Sequence, residues 1–569
     1  MRFPNLKKST LFVLGLIITC ALLWPLLAAP YFTHHDDVQV IRLFEMNKCI
    51  QDSQIPCRWV PDLGGLYGYP MFNYYAPLPY YFGLLVYWIT QTLTISAKVM
   101  FGVAFVMSYV FMYLAGRKLW GNAGGFVSGV FYSLAPYHSV LLFVRGAMGE
   151  LWGVMCFPAI LWALLRLKEK QSLGNLLTSA FFIGLLLVSH NISVLMFLPS
   201  LLILVGLFKE KLRFLKYFVL ACVLGLGLSA FYLLPMVVEK NLVHVDTTTM
   251  GYFSYTEHFK GLRKLFLDHS WGWGASVREV PGGEKDGLSF QIGYIHLLGW
   301  ALSLYTAFVL RRKNRFLSTF IFTCTFLILG AVFMVNPQSV WVWKLFDPVL
   351  KYLQFPWRFL SLIIFFISLV SGSISVVLKG KFQKFVIAGL VLICLIINFS
   401  YFRPQKLLFV SDQVLLSEPN WTNLINRSIF DYLPIYAVAP PAKLAATRFE
   451  VITGDTKIED FKEGSNWISF KTQTLTHSIL RISQYYFPNW RIFIDGKETK
   501  IDYTNPLGLM TIIVGVGNHK VDARLYDTPI RTIGNLVTLV SFGIFCLLFL
   551  FQLKVVRVRL IYYLKGLYR

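Results

Sequence analysis

The sequence predicts a polytopic α-helical membrane protein with 12 to 13 transmembrane helices and, ahead of the last helix, a β-rich domain outside the cytoplasm. Three observations predict it. The 569 residues are 56% hydrophobic with a mean hydropathy of +0.58, far too apolar for a soluble chain. Charge-free runs reach the length needed to cross a bilayer. Between 403 and 530, by contrast, charges return, apolar runs shorten and hydrophobic residues alternate with period two.

The apolar runs occupy 9–35, 63–97, 99–116, 119–144, 151–165, 171–208, 217–238, 288–310, 316–343, 359–378, 385–402 and 532–553. As one helix, 171–208 would measure roughly 57 Å against a hydrocarbon core of about 30 Å. A turn near Ser189-His190-Asn191 is therefore expected to split it.

Basic clusters assign the sides, because short loops rich in Lys and Arg stay cytoplasmic. They are Arg2/Lys7/Lys8, Arg117/Lys118, Arg166/Lys168/Lys170, Lys209/Lys211/Arg213/Lys216, Arg311/Arg312/Lys313/Arg315, Lys379/Lys381/Lys384 and the tail from Lys554 to Arg569. Together they hold 24 of the 53 basic residues and only two of the 29 acids, Glu169 and Glu210. The formal charge of +24 is thus a topology signal, and a nucleic-acid partner is excluded.

Both Lys8 and Arg117 then sit inside, yet only 11–30, 76–93 and 99–116 lie between them. Three full crossings violate that parity. Residues 76–93 are predicted to form a juxtamembrane or re-entrant helix on the outer side, giving 12 crossings with both termini cytoplasmic; 13 crossings require one misplaced basic cluster. The first apolar run ends in Ala28-Ala29-Pro30, where Pro disfavours signal cleavage, and is read as an uncleaved helix. The resulting organisation is a transmembrane module over 1–402 with a first outer loop 31–97 and a second outer loop 239–287, the β-rich domain over 403–530, and the last helix with its basic tail over 531–569.

In the β-rich domain, Ser478–Ser483, Arg491–Lys497 and Met510–Val516 read as strands, with Asp495-Gly496-Lys497 as a hairpin turn in a small β-sandwich. The second outer loop contains Trp271-Gly272-Trp273-Gly274 and Pro281-Gly282-Gly283, a glycine content expected of a mobile loop. Six of the eight cysteines lie in apolar segments; Cys49 and Cys57 lie in the first outer loop, where a disulfide would staple the segment carrying two acids.

Those acids, Asp36 and Asp37, stand in Thr33-His34-His35-Asp36-Asp37 directly after the first apolar run. Solvation, or pairing with Arg42, is the plain reading. The functional reading is a general base, since deprotonating a hydroxyl requires a carboxylate within hydrogen-bond reach. A second group, Ala135-Pro136-Tyr137-His138 with Arg145-Gly146-Ala147-Met148-Gly149-Glu150, falls on the same face. It is either a local ion pair or a site in which Glu150 orients a sugar hydroxyl and Arg145 holds a phosphate oxygen. The third is Phe355-Pro356-Trp357-Arg358, an interfacial anchor or a grip on a lipid phosphate. His190 is read as a packed turn residue outside the site. No Walker, Rossmann or zinc-site spacing occurs, no cofactor or resident metal is identified, and a divalent cation is left open.

At these residues the chain resembles the integral membrane proteins called 6-pyruvoyl-tetrahydropterin synthase-related, akin to YfhO-type proteins of the GT-C glycosyltransferase superfamily. The resemblance is carried by His35-Asp36, Arg58-Trp59-x-Pro61, Gly68-Tyr69-Pro70-x-Phe72-x-Tyr74-Tyr75-x-Pro77-Leu78, Arg145-Gly146-Ala147-x-x-Glu150 and Phe355-Pro356-Trp357-Arg358. It continues in Tyr485-Tyr486-Phe487-Pro488-Asn489-Trp490 and Asp495-Gly496-Lys497.

This likeness implies a GT-C-like fold and an inverting transferase in the plasma (inner) membrane of a prokaryote. It would move a sugar from a polyprenyl-phosphate donor to an acceptor glycan, lipid or protein outside the cytoplasm. The catalytic acids would be Asp36 or Asp37, with Glu150; His35, Arg58, Tyr69, Tyr74, Tyr75, His138, Arg145 and Arg358 would bind substrate. Asp37 stands where the family often has Gly, which leaves the base open between the two aspartates. Two other readings are a lipid or glycan transporter or flippase, against which the nearly charge-free helix interiors argue, and a non-catalytic envelope-assembly protein.

Overall fold

In a computed structural model, residues 6–208, 212–278, 280, 283, 285–426 and 430–567 are described, with side chains omitted at 6–9, 430 and 555–567. Parts of the basic clusters (Arg2, Lys209, Glu210, Lys211, Arg569) and Pro281 and Gly282 lie outside them.

Among the described residues, six helices are long and apolar enough to cross a membrane, and a bent pair, Leu212–Leu228 with Ala230–Val238, makes up to seven. Shorter apolar helices, including Leu173–Ser189, Asn191–Gly206 and Tyr294–Leu310, accompany them. The count from sequence is larger partly because the chain divides apolar runs at polar breaks. His190 separates Leu173–Ser189 from Asn191–Gly206, while the 42-residue helix Leu93–Leu134 joins two predicted runs across a kink at Gly121. Residues 78–90 form a separate 13-residue helix that ends at Gln91 in the left-handed region. At 1.5 Å per residue it is about 20 Å long, too short to cross.

Burial ranks the helices. The span Met148–Glu169 is 94% buried over its apolar window and Pro356–Val377 89%, whereas Pro529–Lys554 buries none of its window. A helix apolar on all sides belongs in a protein core or against lipid. Hence the first two form the centre of the bundle and the last lies at its periphery. Leu93–Leu134 crosses Pro356–Val377 at glycine: a Cβ on Gly372 would stand 2.4 Å from the Gly124 carbonyl oxygen. Small residues let membrane helices approach this closely, and Trp120 Nε1 and Ser128 Oγ both donate to the Leu369 carbonyl at 2.8 and 3.0 Å.

The first loop is sewn down at both ends. Strand β1 (Tyr31–Phe32) pairs antiparallel with β2 (Leu407–Leu408), and Cys49 and Cys57 form a disulfide. The second loop departs from the mobile segment expected of its glycines. Its described part winds through short 3₁₀ turns, and Lys260 pairs with Asp286 at 2.6 Å with both side chains sealed from solvent. A buried ion pair of this kind holds a segment in one geometry.

The C-terminal β-rich domain follows the predicted alternation. Strands β4 (Thr456–Glu463), β5 (Trp467–Thr474), β10 (Gly517–Leu525), β7 (Trp490–Ile494) and β8 (Lys497–Thr499) form one antiparallel sheet in the order β4-β5-β10-β7-β8. A second sheet is β3-β6-β9, from Phe449–Thr453, Ser478–Tyr485 and Leu509–Val514. Phe449 of β3 stacks on Phe470 of β5 between them. Asp495 and Gly496, both at positive φ, make the β7–β8 turn, as an Asp-Gly hairpin requires. The domain rests on the first loop: Tyr485 N–H donates to the Tyr67 carbonyl at 3.0 Å, Arg448 Nη1 to the Leu66 carbonyl at 2.6 Å, and Trp59 packs edge-on against Trp490.

Candidate functional site

Glu150 is the centre of a buried charge cluster in the helix bundle. It lies in the first turn of Met148–Glu169 and is 2% exposed. Its Oε2 receives Arg145 Nη1 at 2.6 Å and stands 3.4 Å from Arg358 Nε. The Tyr137 and Ser361 hydroxyls donate to Oε1 at 2.8 and 3.1 Å. One carboxylate thus serves two guanidiniums from different helices.

Local chain geometry brings these groups together. Val140–Arg145 is one turn of π-helix, a widened turn frequent at functional sites. It closes at Gly146 with φ +62°, where a Cβ would stand 1.8 Å from the His34 ring. Only glycine fits both the left-handed backbone and that contact. Across it, the backbone N–H groups of His35 and Asp36 donate to the carbonyls of Val144 and Arg145 at 3.0 and 2.9 Å. Gln39 Nε2 bridges the Asp36 and Gly146 carbonyls at 3.0 and 2.9 Å. Asp36 is thereby bonded, main chain to main chain, to the residue carrying the first guanidinium, 109 residues along the chain.

The Asp36 carboxylate is half-buried, makes no side-chain hydrogen bond or ion pair among the described residues, and acts electrostatically on both Arg145 and Arg358. Asp37 acts on Tyr31 and, together with Asp36, on His34. Arg145 lies over the Trp357 ring at 4.7 Å and Arg358 over Phe355 at 5.0 Å. Arg358 Nη1 also donates to the Leu353 carbonyl at 3.0 Å. Among the described residues, Nη1 is the one Arg145 nitrogen that donates to a protein acceptor, which leaves its other N–H groups for a ligand. Guanidiniums held flat on aromatic faces with N–H groups free suit a phosphate.

The remaining predicted residues divide. His35 is exposed, its Nε2 2.8 Å from the Trp273 carbonyl oxygen of the second loop. Tyr75 borders the cluster, its hydroxyl 3.8 Å from where a Cβ on Gly149 would stand. Tyr69 and Tyr74 lie farther along the same wall, each stacked with Tyr432. His138 is absent from the site: it is fully buried, its Nδ1 2.5 Å from the Tyr132 carbonyl oxygen, and the neighbouring Tyr137 makes the contact to Glu150. Arg58 is also elsewhere, tied to Asn73, the Phe231 carbonyl, Asn535 and Asp527.

His190, set outside the site on sequence grounds, interacts electrostatically with Glu150, Arg145 and Arg358. Gly149 and Gly153 make room for it, since a Cβ on either would come within 3.3 Å of its side chain. The one hint of this in the sequence is that His190 falls in the turn expected to split 171–208. Ser361 had no such signal beyond its one-turn spacing from Arg358. No three His, Cys, Asp or Glu side chains converge on a cation position among the described residues.

Residues 72–282 match the sequence model of the 6-pyruvoyl-tetrahydropterin synthase related domain, described as a membrane protein. That match covers Arg145, Glu150 and His190. Over 41% of its length the chain is 22% identical to an uncharacterized protein of Lactococcus lactis subsp. cremoris (strain MG1363), and the alignment spans 40% of that relative. Among solved structures, it is similar to the arabinofuranosyltransferase AftD from Mycobacteria, with TM-score 0.46 and 12% identity over 74% of this chain and 29% of that one. The apo oligosaccharyltransferase of Archaeoglobus fulgidus gives 0.45 and 12% over 75% and 60%. ArnT from Cupriavidus metallidurans, bound to undecaprenyl phosphate, gives 0.40 and 10% over 75% and 76%.

Proposed function

We propose that the protein is an inverting membrane glycosyltransferase that takes a sugar from a polyprenyl-phosphate donor. The observation that carries this reading is the Glu150 cluster: two guanidiniums share one carboxylate, keep N–H groups unspent, and stand beside the Asp36 carboxylate.

The chemistry follows from those positions. Asp36 takes the acceptor hydroxyl proton as its oxygen bonds to the anomeric carbon. The bond from that carbon to the phosphate oxygen breaks, and its electron pair leaves with polyprenyl phosphate. Arg145 and Arg358 stabilise the charge that grows there, an effect strongest in a water-poor site. Phosphate is already a competent leaving group, so no second protein acid is needed, and one displacement inverts the centre. Glu150 positions the two arginines. Asp36 is preferred to Asp37 because its charge is felt at both Arg145 and Arg358.

The same proposal sets the protein in a prokaryotic plasma membrane with twelve crossings, both termini cytoplasmic, and the site and β-rich domain outside. Its acceptor is a glycan, lipid or protein of the envelope. The kinked helix Leu93–Leu134, divided at Gly121, supplies two of those crossings.

Membranes supplied with labelled polyprenyl-phosphate sugars test the reading. Asp36→Asn at equal expression should lower transfer by about 10²–10⁴-fold, the span of general-base catalysis, while Asp37→Asn leaves most of it. Transfer that survives both changes together rejects the base. Cysteine placed at Gln91 should be labelled from outside the cell; labelling only from the cytoplasm rejects the topology.

A further inference from the structure

Five arginines are buried among the described residues: Arg42, Arg58, Arg145, Arg358 and Arg531. Four have a carboxylate within 4 Å, namely Asp527 for Arg58, Glu150 for Arg145 and Arg358, and Glu239 for Arg531. Arg42 has none. Its side chain, on the helix Gln39–Gln51 that follows the Asp36 loop, is 7% exposed. The only hydrogen bond it makes is from Nη1 to the Tyr80 hydroxyl at 3.3 Å. Tyr80 donates its own proton to Gln39 Oε1 at 2.6 Å and so presents a lone pair to the guanidinium. The guanidinium lies 4.2 Å over the Tyr75 ring, and among the described residues its other N–H groups meet no acceptor.

A guanidinium so withdrawn from water ordinarily carries a counter-ion, because an uncompensated buried charge is costly. The acid that acts on it from a distance, Asp431, is a poor one. Burial pushes the Asp431 carboxyl up to about 6, against the opposing influence of the Thr247 hydroxyl and Arg42 itself. The surroundings are aromatic: Tyr432 stacks with Tyr69 and Tyr74 at 6.5 and 5.7 Å. Tyr75 joins this compartment to the reaction centre, with Arg42 on its face and its hydroxyl beside Gly149, next to Glu150.

We propose that Arg42, Tyr75 and Tyr432 form an anion subsite beside Glu150 that binds the acidic group of a saccharide, a carboxylate or a phosphate ester. The planar fork of Arg42 matches either anion, and the tyrosine faces provide stacking area for the ring. That the saccharide is a transferase substrate rests on the function proposed above; the binding itself does not.

The test is titration of the full-length protein, in nanodiscs of a zwitterionic phospholipid, with methyl β-D-glucuronide, glucose 1-phosphate and methyl β-D-glucoside, with no donor present. At least one acidic sugar should bind ten-fold or more tightly than the glucoside, and the two acidic arms show whether carboxylate or phosphate is preferred. Arg42→Gln should remove that preference, and Arg42→Lys should restore part of it. Equal affinity for all three sugars in the native protein overturns the subsite and needs no variant; so does an acidic preference that Arg42→Gln leaves intact. Arg42-dependent binding in a protein that transfers no sugar from any polyprenyl-phosphate donor would keep the subsite and reject the transferase reading.

Discussion

Two buried glutamates anchor two charge clusters in this molecule, and they end differently. Glu239, 5% exposed, receives Arg531 Nε at 2.8 Å, Asn73 Nδ2 at 3.0 Å and the Thr528 hydroxyl, while Tyr74 donates to its carbonyl at 2.8 Å. Beside it, Arg58 spends both terminal nitrogens on Asn73, the Phe231 carbonyl and Asn535, and lies 3.3 Å from Asp527 through Nε. This cluster clasps the first loop, the bent helix pair and the start of the last helix. Glu150 is equally buried and has two arginines, yet Arg145 there uses one nitrogen and faces an unpaired aspartate. Most donors of the clasp meet protein acceptors, Arg531 Nη2 being left over, whereas the aspartate beside the Glu150 cluster has no side-chain partner among the described residues.

The difference can be broken at the clasp first. Arg531→Gln leaves Glu239 buried without a cation, a loss of about 3–5 kcal/mol for an orphaned ion-pair partner. Thermal denaturation should show a large fall, and proteolysis should open the connection between β10 and the last helix, while the folded fraction keeps its turnover. A variant that melts like the native protein but fails to turn over would move Glu239 into the active site. Arg145→Gln should do the reverse. Glu150 retains Arg358, Tyr137 and Ser361, so folding is affected less, whereas turnover drops by about 10²–10³-fold, the loss of one preorganised donor. Turnover unchanged at saturating donor would sink the assignment.

How far this contrast could be read beforehand depends on sequence distance. Apolar run length announced the membrane helices and the split at His190, and period-two alternation with Asp495-Gly496 announced the β-hairpin, because both signals are local. Glu150 and Arg145 stand five residues apart and were visible as a pair. Arg58, which the family resemblance implies as a substrate ligand, holds four partners that lie as far off as Asn535, 477 residues along the chain. No local pattern carries that. Tyr137 and His138 are adjacent on the short helix Pro136–Ser139, and only tertiary packing decides that the tyrosine hydroxyl reaches Glu150 while the histidine ring bonds to the Tyr132 carbonyl.

A smaller effect sharpens the boundary between clasp and first loop. Cys49 and Cys57 close an eight-residue interval in the loop that supports Arg42 and the β-rich domain. Replacing both with Ser should cost about 2–3 kcal/mol through the freer unfolded chain. Reductant should lower the melting midpoint of the native protein and leave the double variant unmoved; equal sensitivity of the two would show that the disulfide does not contribute.

The smallest predicted effect lies farthest from either glutamate. His519 of β10 stands 2.7 Å from an Asp495 oxygen at the hairpin turn, and Lys520 N–H donates to the same carboxylate at 2.8 Å. The hydrogen bond to Asp495 raises the His519 pKa above its usual 6.5, and the same bond holds the Asp495 carboxyl below its usual 3.8. The histidine contribution is complete below pH 6.5 and fades as pH rises through the raised value. The aspartate contribution is complete above pH 3.8 and fades as pH falls through the lowered one. Their overlap is a plateau between those limits. Comparing native protein with His519→Gln by thermal melting at pH 5, 6 and 8, the gap between them should be widest at 5 and 6 and narrow at 8. A gap that widens toward pH 8 would mean that the pair is held by something other than the charged imidazolium, since both exposed partners gain from it only while the ring keeps its second proton.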